Sequence, residues 1–352
     1  MAYTTIDKPS DYFNTVLYTG NGNQRNITGV GFQPDWIWGK NRSATGSHNV
    51  IDSVRGVSKI IYTNLTDAEA TDTSSFNAFG SDGFSVGSQS NVNGNGNSIV
   101  AWNWKAGTSF TNDASSTGIG TIDSAGSFNN DAGFSIVSYT GNSTAGATVG
   151  HGLSVAPKMI LIRRREAGSW IVGHGSLGWT KLLKLNETTA VDTNIGAWNN
   201  TDPTSSVFSL GTFGNLNASG GTYVAYCFAE KQGYSKFGSY TGNGNADGTF
   251  VYTGFKPAFV IRKVTSASSD WLMQDNKRSE SGGFNQIRNY LFPNSTQAEV
   301  SNQNYFNIDF LSNGFKMRST DGGANGSGSS YIYMAFAENP FVSSSGVPAC
   351  AR

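Results

Sequence analysis

The sequence predicts an all-β protein built from three tandem β-sandwich units. Glycine supplies 44 of the 352 residues and aromatic residues 12 %, a composition typical of turns and strands. No apolar pattern of helical period persists over four turns, which argues against an α-rich fold. One pattern of motifs returns three times along the chain, which is the signature of a repeat architecture.

Each repeat opens with Tyr-Thr-Gly-Asn, beginning at Tyr18, Tyr139 and Tyr240. A corner containing glycine and proline follows, and then comes an apolar run that ends in a cation. Because these runs are apolar on both strand faces, they predict central strands covered on both sides. We expect the closing cations to mark where each strand meets water; they are Lys40, Arg163 and Lys263.

Two further motifs recur at equivalent places. The first has the form of an N-glycosylation sequon, but a turn repeated in each unit is the favoured interpretation; it begins at Asn64, Asn186 and Asn294. The second is an asparagine in a glycine-rich turn, followed eleven residues later by an aromatic side chain, which predicts a hairpin. The pairs are Asn93 with Trp104, Asn217 with Phe228, and Asn325 with Phe336.

These motifs divide the chain into jelly-roll or lectin-like sandwiches with short extensions. The predicted parts are an N-terminal arm (1–15), unit one (16–107), a Ser/Thr/Gly-rich linker (108–131), unit two (132–232), unit three (233–340) and a C-terminal tail (341–352). We expect the linker to be loose, and we expect the arm to have no unit of its own to pack on.

Charge and apolar patterning exclude several classes of protein. The 24 basic residues balance 24 acidic ones, so nucleic acid is not an expected partner. The basic cluster 163–165 is interpreted as an exposed strand end. No apolar run approaches the length of a membrane span and no signal peptide is recognisable, so we expect no membrane insertion and synthesis in a cytoplasm. Cys227 and Cys350 are expected to be free thiols, with Cys227 in the core.

The sequence offers no catalytic or metal-binding constellation. The histidines, His48, His151 and His174, fall at different positions of the repeat, and no metal-ligand spacing is present. We therefore expect no catalytic residue, metal or cofactor. An Asp-x-x-Arg spacing at Asp52 and Asp275 is interpreted as an ion pair or turn cap, and unit two has His174 and Leu177 at those positions.

Tryptophan residues separate into core and surface candidates. Four lie on predicted strands and are expected in the core: Trp36, Trp38, Trp102 and Trp104. Trp179 and Trp198 lie in less regular stretches, so we take them as candidate ligand-binding residues that could stack on sugars.

Several blocks together resemble a lectin-like β-sandwich repeat family of virion proteins from tailed, often marine, bacteriophages. They are Tyr-Thr-Gly-Asn with Gly31-Phe32-Gln33-Pro34-Asp35-Trp36, then 101–107, 133–139, 150–153, 156–159, 228–230 and 335–341. The resemblance covers nearly the whole chain and brings no catalytic residues. It implies a virion component such as a tail fibre or structural protein.

Three functions follow as hypotheses. The first is a non-enzymatic tail fibre or host-recognition component that binds a cell-surface glycan or protein. The second is a capsid or tail decoration protein without a receptor role, and the third, remote, is a surface polysaccharide depolymerase. We also expect a homo-oligomer attached to other virion proteins through its termini, because open sheet edges need covering and the arm and the tail would become ordered on a neighbour. The resemblance to fibres favours a trimer.

Overall fold

The structure is a computed structural model that describes residues 3–278, 285–301 and 303–348. Strands make up 43 % of the residues and helices 6 %, so the predicted all-β fold of several sandwiches is confirmed. Within the described ranges, no helix has the length and apolar character needed to cross a membrane.

Unit one contains a six-stranded and a three-stranded sheet. Its elements are β1 (Phe13–Thr19), β2 (Arg25–Thr28), β3 (Trp36–Asn41), β4 (Asn49–Asp52), β5 (Lys59–Tyr62), β6 (Ala70–Thr71), β7 (Phe76–Gly80), β8 (Gly83–Val86), α1 (Ser90–Asn93) and β9 (Ser98–Trp104). The sheet orders are β1-β9-β3-β4-β5-β6 and β2-β8-β7. All residues of β3 are buried between β9 and β4, as predicted for a central strand.

Unit two contains an eight-stranded and a two-stranded sheet. Its elements are β10 (Thr108–Asn112), α2 (Ala114–Thr117), β11 (Ser124–Asn129), β12 (Phe134–Thr140), β13 (Ala147–Gly150), β14 (Met159–Arg164), β15 (Trp170–His174), β16 (Lys181–Lys184), β17 (Asp192–Thr193), α3 (Ile195–Trp198), β18 (Val207–Leu210), α4 (Gly214–Asn217) and β19 (Thr222–Phe228). The sheet orders are β10-β11-β12-β19-β14-β15-β16-β17 and β13-β18.

The segment 108–131 is not the loose linker that its composition predicted. β11 pairs with β12 along its whole length, and β10 pairs with β11. These backbone hydrogen bonds cover an edge of the unit-two sheet that would otherwise be open. The hydroxyl- and glycine-rich sequence is therefore fixed by strand pairing, which composition does not report.

Unit three contains two four-stranded sheets. Its strands are β20 (Ser235–Thr241), β21 (Phe250–Tyr252), β22 (Phe255–Val264), β23 (Leu272–Asp275), β24 (Gln286–Ile287), β25 (Ile308–Leu311), β26 (Gly314–Met317) and β27 (Ser330–Pro340). The sheet orders are β20-β27-β22-β23 and β21-β26-β25-β24. One sheet of each unit contains four neighbouring strands in a common order: β1-β9-β3-β4, β12-β19-β14-β15 and β20-β27-β22-β23.

The repeated side chains make the same bonds in every unit. The hydroxyls of Tyr18, Tyr139 and Tyr240 each donate to a backbone carbonyl at 2.7 Å; the acceptors are Val92, Leu216 and Ala324. The asparagine of each glycine-rich turn is buried and bonds the backbone on both sides; the three are Asn93, Asn217 and Asn325. The repetition is thus one of local geometry as well as of sequence.

One aromatic core is shared by all three units. The ring of Trp36 in unit one lies 4.6 Å from that of Tyr226 in unit two, and Phe13 lies 5.1 Å from Phe336 of unit three. The four tryptophans predicted for the core are fully buried in unit one; they are Trp36, Trp38, Trp102 and Trp104. Each unit also has its own core between its two sheets.

The sequon-like turns join the units into a closed ring. A threonine carbonyl in each turn accepts a backbone N–H from the next unit at 2.8 Å: Gly168 to Thr66, Ser269 to Thr188, and Gly46 to Thr296. Equivalent contacts therefore run from unit one to two, two to three and three to one. A cycle of equivalent contacts that closes on itself is pseudo-threefold symmetry, here within a single chain.

The cations that close the central strands do not lie where the strands meet water. Lys40, Arg163 and Lys263 are fully buried. The charged groups of the two lysines instead contact carbonyls of the sequon-like turn that comes from another unit. Lys40 Nζ lies 3.4 Å from Thr296 O, and Lys263 Nζ lies 3.2 Å from Thr188 O. The expectation of exposure fails because the neighbouring unit covers each strand end.

The described parts of the arm (3–15) and of the tail (341–348) pack on the chain itself, contrary to the expectation for the arm. Ile6 is buried in the shared core, and the Tyr3 hydroxyl donates to Gly254 O of unit three at 2.7 Å. The tail reaches the arm through Ser344 N, which donates to Asp7 at 2.6 Å. The arm is therefore ordered without a neighbouring molecule, because unit three supplies its packing surface.

Candidate ligand-binding cleft

A cleft of about 600 Å³ opens beside the segment that was expected to be a linker. It lies where β12 ends and β19 begins, with the connection from β10 to β11 forming one wall. The lining residues are Thr111, Asn112, Asp113, Thr121, Ile122, Asp123, Ser124, Ala125, Ser138, Tyr139, Thr140, Asn142, Arg165, Thr222 and Tyr223. Its volume falls within the range of about 300–1,000 Å³ seen for small-molecule sites.

Hydrogen bonds hold this wall in a defined shape. Asp113 caps α2 by accepting from the backbone N–H groups of Ser115 and Ser116 at 3.0 and 3.1 Å. The helix ends at Gly118, whose φ of 70° lies in the left-handed region that favours glycine. Buried Asn112 then donates to Ile119 O at 2.9 Å. The loop is thus tied at its start, its middle and its end.

Charged residues of both signs line the cleft. Asp123 accepts from Ala114 N at 2.8 Å through Oδ1. The side-chain hydrogen bond from Ser115 lowers the pKa of Asp113, which keeps that carboxyl ionised at neutral pH. On the other side, the Arg165 guanidinium is held 2.8 Å from Glu69 of unit one, so the cation is fixed by the contact between units.

The cleft presents many groups that can hydrogen-bond to a hydroxyl and few that could act as a catalytic acid or base. Exposed Thr111, Thr121 and Thr140 add hydroxyls to the two carboxylates. A general acid needs a raised pKa to hold its proton at neutral pH, whereas the pKa of Asp113 is lowered. The arrangement is suited to hydrogen-bonding a polar ligand.

The sequence did not predict the cleft because the wall that completes it, from Thr111 to Ala125, lies in the presumed linker. Their detectable signal was the sequence Asp113-Ala114-Ser115-Ser116, which has the form of a helix N-cap. The other signal was the extra length between units one and two, which has no counterpart between units two and three.

The predicted ligand-binding tryptophans are not on the surface. Trp198 is fully buried and Trp179 is 5 % exposed, and their rings meet edge to face at 5.2 Å. A side chain at Gly173 would come within 2.6 Å of both rings, so the two indoles fill the core against bare backbone. Trp179 also lines a 260 Å³ pocket with Phe237, but too little of its ring is exposed to form a stacking surface.

All three histidines are buried and bonded as neutral rings. In His174, Nδ1 accepts from Ser176 N at 3.1 Å and Nε2 lies 3.2 Å from Tyr333 O of unit three. His151 repeats this arrangement with Leu153 N and Thr204 O. Burial lowers the pKa of His151 and of His174 to about 4. Both ring nitrogens of His151 and of His174 are thus occupied by structural bonds, and Nδ1 of His48 accepts from Trp38 Nε1 at 2.9 Å.

The two Asp-x-x-Arg motifs form buried ion pairs and turn caps, as interpreted from the sequence. Arg55 lies 2.5 Å from Asp52 and Arg278 lies 2.6 Å from Asp275, with no side-chain exposure. Each aspartate also accepts the backbone N–H of its arginine. Among the described residues, no group of three or more His, Cys, Asp or Glu side chains could hold a metal ion.

A family model described as a domain of unknown function (DUF7483) matches residues 8–340. The chain belongs to this family. The match spans all three units and the cleft, so the DUF7483 domain comprises the closed ring and not a single sandwich. No curated protein and no solved structure matches the chain.

Proposed function

We propose that this DUF7483 protein is a non-enzymatic component of a bacteriophage virion that recognises the host surface, as a tail fibre or adhesion protein does. The proposal begins from the resemblance of the repeat motifs to phage virion proteins. The observation that carries it is the open cleft of unit two, whose lining includes hydroxyls, carboxylates and the guanidinium of Arg165. Such groups suit the hydroxyl-rich surface of a cell-surface glycan.

The shared core supports a role in presenting a binding site in a fixed position. A binding site works best on an element whose position is fixed by packing, and here three units pack around common aromatic rings. The ligand would then meet a preformed site, which reduces the ordering cost of binding.

The test measures binding of the purified chain to an array of bacterial surface polysaccharides. We expect binding to a subset of them, weakened at least tenfold by Asp113→Asn with Asp123→Asn. Asparagine also caps helices well, so α2 should persist. Asp192→Asn changes an exposed carboxylate on β17, outside the cleft, and should leave binding unchanged. Equal binding by wild type and the double variant would rule out the cleft as the site.

The same samples separate recognition from hydrolysis. We expect no release of reducing ends from any bound polysaccharide, because the lowered pKa of Asp113 is the reverse of what a general acid requires. Release that Asp113→Asn or Asp123→Asn abolishes would establish a depolymerase instead.

A decoration protein without a receptor role is the second candidate. The closed ring and the contact between Asp7 of the arm and Ser344 of the tail favour it, because the arm and the tail meet at one place, where a particle could hold both. Mass spectrometry of purified particles tests presence on the virion, and a cryo-EM map tests position. Density on the capsid, together with no glycan binding, would decide for decoration.

A further inference from the structure

The two-stranded sheet of unit two (β13-β18) has one edge covered by another segment of the same chain. Ile122 forms a parallel bridge with Val149 of β13. The backbone N–H groups of Thr121 and Ile122 both donate to Thr148 O, at 2.9 and 3.0 Å, and Ser124 Oγ donates to Gly150 O at 2.9 Å. Residues 120–124 therefore act as an extra strand that closes this edge.

Unit three has the equivalent edge on β21. Val251 pairs with Phe315 just as Val149 pairs with Phe208 in unit two. This register makes Phe250 the counterpart of Thr148, and Tyr252 the counterpart of Gly150. The edge in unit three can therefore be compared with the covered edge residue by residue.

The β21 edge is open among the described residues. Thr249 O accepts from Met317 N, and Thr253 N donates to Asn313 O, so these alternate positions bond to β26. The backbone groups of Phe250 and Tyr252 then point to the other side, where β21 ends its sheet. The side chains of Phe250 and Tyr252 are 44 % and 54 % exposed.

Unit one shows that the fold does not require rings here. Its equivalent strand, β2, is also an edge, and Ile27 pairs with Phe84 in the same register. The positions of the two rings are taken by Asn26 and Thr28, both exposed. Polar edge residues protect against pairing with other chains, so unit one is protected and unit two is covered. Among the described residues, the β21 edge of unit three has neither polar residues at these positions nor a paired segment. The Tyr3 hydroxyl of the arm lies 3.5 Å from that of Tyr252, but its bond to the backbone is to Gly254, beyond β21.

We propose that the β21 edge binds an extended segment of another polypeptide by strand addition. The segment lies parallel to β21, as residues 120–124 lie along β13. Its backbone N–H groups donate to Phe250 O, and its hydroxyl side chain donates to Tyr252 O, as Thr121, Ile122 and Ser124 do to Thr148 O and Gly150 O. The apolar side chain of the segment lies on the inward face beside Val251, as Ile122 lies beside Val149. The two exposed rings alternate with Val251 on the outward face and pack against the two residues that flank the apolar one. Main-chain bonds supply affinity and side-chain contacts supply selectivity in this mode of recognition.

The unit-two segment shows the chemistry of the partner. Ile122 is 6 % exposed and belongs to the unit-two core, so an apolar side chain is needed at that position. Gly120 lies where an added Cβ would be 2.8 Å from Thr148 O, which favours glycine two residues earlier. The predicted partner is thus an extended segment of the form Gly-x-apolar, followed by a hydroxyl residue two positions later.

The test uses a fluorescein-labelled peptide with the sequence of residues 118–125 and the full-length protein. Fluorescence anisotropy should show saturable binding with one site per chain. Phe250→Asn with Tyr252→Thr places the unit-one residues on β21 and should weaken binding at least tenfold. A peptide carrying aspartate in place of Ile122 should bind no better than the double variant does.

Circular dichroism checks that the double variant is folded, and Tyr252→Thr alone serves in its place if the double variant is not. Absence of saturable binding to the wild-type chain would overturn the proposal, as would equal binding by the ring variant. Neither result depends on a host glycan, so this test is separate from that of the proposed function.

Discussion

Phe336 lies where the three units meet. Its ring is 1 % exposed and contacts rings from every unit, including Phe13 at 5.1 Å and Phe228 at 6.1 Å. Phe336→Ala should lower the free energy of unfolding by about 3–5 kcal/mol, as ring deletions in packed cores do. Chemical denaturation measures this loss. The matched control is Phe250→Ala, which removes an exposed ring and should cost under about 1 kcal/mol; equal losses would contradict the packing described.

His174 should make stability depend on pH. Burial lowers its pKa to about 4, against about 6.5 in an unfolded chain. Between these values the unfolded state binds more protons, so this contribution to stability is complete above pH 6.5 and is lost as the pH falls towards 4. Protonation would also place an N–H at Nδ1 against the Ser176 N–H that it now accepts.

The measurement compares the free energy of unfolding at pH 7.5 and pH 4.5 in wild type and His174→Gln. Glutamine can still bond Tyr333 O but does not titrate in this range. The loss on acidification should be smaller in the variant by about 2–3 kcal/mol. Identical pH dependence in the two proteins would show that His174 is not held neutral.

At the scale of elements, two of the three junctions between units contain a buried charge cluster. At the first junction Arg55 bridges Asp52 and Glu69, and Arg165 of unit two completes the set. At the junction of units three and one, Arg278 bridges Asp275 and Glu299, with Arg42 completing it. The junction of units two and three has neutral His174, Leu177, Val191 and Thr265 at the equivalent positions. All four positions that are charged at the other two junctions are thus neutral at this one.

Replacing one charged residue of a cluster should therefore lower the free energy of unfolding more than replacing all four. Arg55→Leu leaves buried Asp52 without a cation and Glu69 with Arg165 alone, and should destabilise the protein by about 3–5 kcal/mol. Replacing the first cluster by the residues of the neutral junction (Asp52→His, Arg55→Leu, Glu69→Val and Arg165→Thr) should cost less than Arg55→Leu alone. Urea denaturation of both variants tests this, and a loss in the fourfold variant that equals or exceeds that of Arg55→Leu would contradict it.

The sequence predicted strands well and their surroundings poorly. The apolar run ending at Lys40 correctly predicted a central strand, because burial on both faces leaves a local pattern. The prediction that this strand ends in water was wrong, because Lys40 is covered by a turn about 250 residues away in the sequence. The cleft was missed for the same reason, because pairing of β11 with β12 leaves no trace in the composition of 108–131. A local pattern indicates whether a residue favours a buried or an exposed position. It does not indicate which distant segment of the chain covers that residue.

At the scale of the whole molecule, the threefold arrangement expected of a trimer is already present within one chain. The packing of arm and tail on unit three and on each other removes the reason for requiring a neighbour. Assembly as a homotrimer stays a prediction, which light scattering of the purified protein can check. The β21 edge then becomes the better candidate for contact with other chains.

The shared core also predicts that the three units unfold together. Independent sandwiches joined by linkers would melt separately, each with its own transition. Here the rings of Trp36, Phe228 and Phe336 belong to one cluster, so unfolding any unit exposes the inner faces of the other two. Scanning calorimetry should therefore show one transition, with a calorimetric enthalpy that matches the van't Hoff enthalpy. Phe336→Ala should lower the temperature of that single transition without splitting it; resolved transitions in wild type or variant would mean that the units are stable alone and that the ring of contacts between them adds little.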